Sequence, residues 1–102
     1  MKRIYWKLFS AEHVNQVVFE IPRIINRYGI IINSSLLSDY CMNFMFEIEH
    51  TEIIGLKNDL GKYLSDCDWG DDISEGSCIV FLNLRFINST GDVKNKIPNV
   101  PG

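Results

Sequence analysis

Tyr40-Cys41-Met42-Asn43-Phe44-Met45-Phe46-Glu47-Ile48-Glu49 is the stretch from which the fold is read. Tyr40, Met42, Phe44, Phe46 and Ile48 alternate against Cys41, Asn43, Met45, Glu47 and Glu49, and a period of two places the first set on one face of a strand. Immediately upstream, Ile30 to Leu37 is a β-branched, apolar run, and Ser38-Asp39 between the two reads as a hairpin turn. The centre of the chain is therefore expected to be two antiparallel strands.

On either side of this hairpin the apolar period changes to that of a helix. Upstream, Val14, Val17, Val18, Ile21, Ile24, Ile25 and Tyr28 form a helical stripe, with Ser10 placed as its N-cap and Gly29 as its stop. Pro22 lies inside the stripe, lacks a backbone donor and crowds the carbonyl of Val18, so a kink or break is expected near residues 18–22. Downstream, Thr51 is placed to cap a second stripe of Ile53, Leu56, Leu60, Tyr63 and Leu64. Gly55 and Gly61 each weaken that helix by about 1 kcal/mol relative to Ala, so it depends on packing.

The outermost segments return to alternation. Ile4, Trp6 and Leu8 alternate with Arg3, Tyr5 and Lys7, and Cys78, Val80, Leu82, Leu84 and Phe86 share one face of a last strand. Between the second helix and that strand, Ser65 to Gly76 reads as a polar loop, and 89–102 reads as an extended tail. The order β-α-β-β-α-β, two helical crossovers around a hairpin, predicts a ferredoxin-like α+β sandwich in a single domain over 1–88. Its sheet is expected to be four-stranded and antiparallel, with both helices on one face. The other face carries Ile79, Phe81 and Ile87 beside Asn83 and Arg85, with Cys41 and Met45 on the third strand. It is too apolar for a plain solvent face, so a homodimer contact through Ile79, Phe81 and Met45 is expected.

Composition bounds the function. A chain of 102 residues, 46% hydrophobic, has material for one core and none for a second. A net charge of -3 opposes a sequence-independent nucleic-acid binder, which needs surplus Lys and Arg. Cys41, Cys67 and Cys78 are odd in number with no CxxC spacing, which argues for reduced thiols and a cytoplasmic setting over a disulfide framework. No apolar run approaches the ~20 residues of a membrane span, and no cofactor motif occurs, so neither a membrane nor a cofactor is expected.

Three constellations carry possible chemistry. Asp66-Cys67-Asp68-Trp69-Gly70-Asp71-Asp72-Ile73-Ser74-Glu75 gathers five carboxylates around one Trp. Its spacing fails the EF-hand pattern, since Trp69-Gly70 interrupts the ligands and Ser77 stands at the closing position, so no metal is expected. A solvated connector and a partner-binding loop remain, the latter with Trp69 as anchor and Asp66, Asp68, Asp71, Asp72 and Glu75 steering a basic protein. His13 and His50 each fall at a strand–helix junction. The ferredoxin-like reading puts both junctions at the same end of adjacent strands one and three, where the imidazoles would meet or simply sit on the surface. Tyr40, Phe44 and Phe46 have the look of an RNA-binding aromatic platform, but the basic and glycine residues of that signature are absent and core packing accounts for the rings better.

Residues 3–87 resemble the ACT-like branch of the ferredoxin-like fold. The resemblance is carried by Ile24-Ile25-Asn26-Arg27-Tyr28, by Gly29-Ile30-Ile31-Ile32-Asn33 opening the second strand, and by Phe44-Met45-Phe46-Glu47-Ile48-Glu49 before the second helix. ACT domains usually carry an acidic residue and a Pro-Gly pair where Ser10-Ala11-Glu12-His13 stands here, and their asparagine commonly sits nearer the glycine than Asn33. The resemblance implies a small non-enzymatic regulatory module that self-associates and binds a small ligand. The ligand would lie where Phe9, Ser10, Glu12 and His13 meet Gly29 and Asn33. The alternatives are an immunity or antitoxin-type inhibitor that presents the acidic loop, and, third, a dimeric α+β barrel enzyme resting on His13 and His50.

Overall fold

Five strands and two α-helices make up the residues that the computed structural model describes, 2–11, 17–38, 41–70 and 75–87. They are β1 (Lys2–Ser10), α1 (Glu20–Tyr28), β2 (Gly29–Ser38), β3 (Cys41–Glu49), a 3-10 turn (His50–Glu52), α2 (Ile53–Gly61), β4 (Asp66–Asp68) and β5 (Ser77–Phe86). The α+β class expected from the periodicity is the one that forms. The tail 89–102 lies outside the described residues.

The sheet departs from the expected four antiparallel strands. It has five, in the order β2-β3-β5-β1-β4, and it is mixed: β1 and β5 run parallel, while the other neighbours are antiparallel. The cause lies in Ser65 to Gly76, expected to be wholly loop. Asp66, Cys67 and Asp68 pair with Phe9, Leu8 and Lys7, so the chain leaving α2 runs back along the edge of β1. The Ser65 amide donates to the Phe9 carbonyl at 2.8 Å at one end of this return, and the His50 amide donates to the Gly76 carbonyl at 2.9 Å at the other. β5 therefore starts beside Glu49, at the end where β3 finishes, and fits between β3 and β1.

One face of the sheet carries the core. Ile4, Trp6 and Leu8 of β1, Met42, Phe44, Phe46 and Ile48 of β3, and Cys78, Val80, Leu82, Leu84 and Phe86 of β5 are buried against both helices. Ile21, Ile24 and Ile25 of α1 and Ile53, Leu56 and Leu60 of α2 cover them. Each large side chain so buried contributes roughly 1.5–3 kcal/mol. The alternation read in the first, third and last strands is thus the pattern of their burial.

The helix ends follow local chemistry. α1 begins at Glu20 after a turn at Val18-Phe19, so the break falls in the expected interval. Pro22 is its third residue, in the first turn, where backbone donors have no intrahelical acceptor and a missing N–H costs nothing. Gly29 follows the last helical residue in extended conformation, and its amide donates to the Ile25 carbonyl. A Cβ at Gly29 would stand 2.4 Å from the Glu47 carbonyl oxygen, so glycine is what lets β2 close on β3 there. At α2 the expected cap is displaced: Thr51 lies exposed within the 3-10 turn, and Glu52 takes the N-cap position without a side-chain hydrogen bond. The helices meet where Gly55 faces the Tyr28 ring. The Tyr28 hydroxyl donates to Asp59 Oδ2 at 2.5 Å, and Arg27 approaches the same oxygen at 3.3 Å.

Candidate functional site on the open sheet face

The face of the sheet turned away from the helices is ordered by strand register into cross-strand rows. Ile30, Glu47, Ile79 and Arg3 form the first. Asn33, Met45, Phe81 and Tyr5 form the second, and Ser35, Asn43, Asn83, Lys7 and Asp68 the third. Cys41, Arg85 and Phe9 lie in the fourth, beside Ser38 and Asp66. A concavity of about 610 Å³ lies over the second and third rows and reaches Arg85.

Its walls are of two kinds. Tyr5 and Phe81 stack with ring centroids 5.1 Å apart and planes inclined by 14°, and Tyr5 is 63% exposed. Beside them runs an amide relay. Arg85 Nε donates to Asn83 Oδ1 at 3.2 Å, and Asn83 Nδ2 donates to Asn43 Oδ1 at 2.7 Å, with Cys41 Sγ at 3.3 Å. The relay has a direction because Arg can only donate: Asn83 must offer it oxygen, which turns the Asn83 nitrogen to Asn43 and leaves the Asn43 nitrogen facing outward.

The residues singled out in the sequence are distributed unevenly. Met45 and Phe81 are cross-strand partners, and Ile79 lies on the same face two residues from Phe81, so the proposed contact trio is together and half-buried. Asn33 lines the concavity. Ser10, by contrast, ends β1 buried, donating its hydroxyl to the Tyr63 carbonyl at 2.5 Å, with Phe9 half-buried next to it. Gly29 pairs with Ile48 at the other end of the sheet, in the row that holds Lys2, so the structure does not join Phe9 and Ser10 to Gly29. Glu12 and His13 lie outside the described residues.

Two further expectations are corrected by the topology. β1 and β3 are not neighbours, because β5 separates them. They are also antiparallel, which puts the end of β1 and the end of β3 at opposite ends of the sheet. His50 therefore stands at the far end from Ser10, and its Nδ1 is buried without a hydrogen-bond partner among the described residues. The acidic segment is not one compact loop either. Asp66 and Asp68 are exposed on β4, where each carboxylate accepts a nearby backbone amide, from Cys67 and Gly70 respectively. Glu75 is exposed next to the start of β5, and Asp71 and Asp72 lie outside the described residues. Trp69 is half-buried: its ring meets Trp6 edge-on at 4.8 Å, and Lys57 Nζ lies 5.4 Å from its centroid. That ring fastens the segment to the core.

Cys41, Cys67 and Cys78 are free thiols. Desolvation first, and the neighbouring Asp66 second, push the Cys67 thiol above its ordinary value. Burial and then Glu49 do the same for Cys78. A raised thiol holds less thiolate, so neither is set up as a nucleophile. Phe44 and Phe46 belong to the core, as packing predicted, while the aromatic pair on the open face is Tyr5 and Phe81.

Tyr5, Lys7, Asn43, Asn83 and Arg85 escaped the sequence reading as a group. A signal existed: Asn43 and Asn83 each stand among the off-core positions of an alternating strand. Which strands are neighbours, and in which register, is what joins them, and periodicity carries neither. Among the described residues no helix is long and apolar enough to cross a membrane, and no group of His, Cys, Asp or Glu is placed to hold a metal ion. Comparison with known proteins finds no match: no family model, no curated protein and no solved structure.

Proposed function

We propose that this chain is a small non-enzymatic binding module that holds a small-molecule ligand in the concavity of its open sheet face. The observation that carries the reading is the 610 Å³ concavity itself, in which a stacked aromatic pair adjoins a fixed amide relay. Ligand sites of about 300–1,000 Å³ characteristically combine apolar walls with a few placed polar groups. The regulatory role is kept as part of this reading although the strand order, with β5 between β1 and β3, is not the one the ACT-like resemblance implies, and its ligand is moved from the first strand–helix junction to the open face. The three free thiols support a cytoplasmic setting.

Self-association is the second part of the reading, favoured by Ile79 and the 70% exposed Ile30, which share a row beside the concavity on the same face, with Met45 in the row next to them. The inhibitor alternative loses its anchor, because Trp69 packs on Trp6. Amide chemical-shift mapping against a panel of small aromatic and polar compounds tests the ligand site. Saturable shifts centred on Tyr5, Asn43, Phe81 and Asn83 are expected. Shifts confined to Phe9 and Ser10, or to Gly29, would place the site elsewhere.

A further inference from the structure

Resting on that reading of the concavity, we infer that its ligand is an amphiphilic anion: a flat ring bearing a carboxylate or phosphate. The argument is an inventory of hydrogen-bonding groups. Asn83 is committed at both ends of its amide, to Arg85 through oxygen and to Asn43 and Cys41 through nitrogen. Asn43 Oδ1 is committed to Asn83, so what Asn43 has left to offer is its nitrogen. Arg85 uses Nε, which leaves its two terminal nitrogens. Lys7 adds an ammonium from the adjacent strand.

Among the described residues, no carboxylate forms an ion pair with Arg85 or Lys7. Asp68 is the carboxylate in the lining, paired in register with Lys7; its Oδ1 accepts the Gly70 amide at 3.2 Å, and its single negative charge is outnumbered by the two cations. The groups left over on Asn43, Arg85 and Lys7 are therefore all donors, two of them cationic. A partner that satisfies them supplies acceptor oxygens and negative charge, and charge-assisted hydrogen bonds of this kind are the strong ones. Tyr5, Phe81 and Met45 on the adjoining row offer apolar surface to the remainder of the ligand, for which a flat ring laid against the aromatic pair is the natural fit.

Calorimetric titration of the full chain with four probes tests this: 4-hydroxyphenylacetate, adenosine monophosphate, inorganic phosphate and neutral 4-methylphenol. The inference expects at least one ring-bearing anion to bind more tightly than both phosphate and the neutral ring, and to weaken as ionic strength rises. Whichever of the two ring anions binds more tightly assigns the oxyanion as carboxylate or phosphate. Arg85→Gln should lower that affinity by about tenfold or more, as loss of a charged hydrogen bond does. Lys7→Gln should lower it in the same direction. Both side chains are exposed, and an unchanged melting temperature for each variant confirms that the fold is intact. Equal binding of 4-methylphenol, indifferent to Arg85→Gln, would overturn the anionic ligand while leaving a binding concavity in place. Phosphate binding as tightly as either ring anion would overturn the ring. Binding by none of the four would overturn the inference and, if shift mapping is also silent, the ligand-binding reading with it.

Discussion

Replacing a hydrogen of Gly55 by a methyl group puts a carbon 2.7 Å from Cε1 of Tyr28. The ring cannot simply swing away, since its hydroxyl is held by Asp59. In an isolated helix Gly→Ala gains up to about 1 kcal/mol, but overpacking of a fixed neighbour typically costs about 1–3 kcal/mol. Gly55→Ala is therefore expected to lower stability in denaturant unfolding, and a stabilised variant would show that the ring yields. The same contact has an alkaline signature. The hydrogen bond to Asp59 first, then desolvation and the Asp59 charge, hold the Tyr28 phenol above its ordinary value of 10.0. A group raised in the folded state stabilises the fold below its unfolded pKa and loses that contribution as pH climbs through the folded one. Phenolate absorbance, with Tyr28→Phe as the difference reference, should show Tyr28 ionising later than a free tyrosine. Asp59→Asn should move it back down.

At the scale of elements, α1 shows how a local rule can succeed in position while the residue behind it goes unstrained. Pro22 marked the break, but the helix starts two residues before it, so the ring occupies a first-turn site that asks for no donor. Proline there restricts the unfolded chain without straining the folded one. Pro22→Ala should accordingly lower stability by about 0.4–1 kcal/mol, and a gain in melting temperature would contradict the first-turn assignment. β4 was illegible for a different reason. Asp66-Cys67-Asp68 has no apolar alternation, all three residues are exposed, and backbone pairing to β1 is what makes them a strand. Thr51 was misread because the 3-10 turn from His50 to Glu52 shifts the start of α2 by one residue.

For the whole molecule, the faces of the strands could be read from the sequence but their order could not. Alternation told which side of β1, β3 and β5 meets the helices, and those residues are buried. The apolar second face of β5, with Ile79 and Phe81, was read as a partner surface. In the structure those residues lie on the open face, on a strand paired along both edges. The partner reading holds if the face beside the concavity joins two copies. Sedimentation should then show a dimer at micromolar concentration, and Ile79→Glu, which introduces a charge into the contact, should give a folded monomer. A wild-type chain that remains monomeric up to high concentration would remove self-association from the reading.

The central place of β5 also sets a schedule. β1 and the β2–β3 hairpin have no common neighbour until residues 77–86 arrive, because β5 is the strand that both of them pair with. At a synthesis rate of about 5–20 residues per second, Ile4, Trp6 and Leu8 wait on the order of several seconds after emerging before the sheet can form around them. Before that interval ends the two helices are already made and can cover those side chains, but the first strand lacks its parallel neighbour. The position of one late strand thus determines how long the edge of β1 that pairs with β5 stays open to a ribosome-bound chaperone.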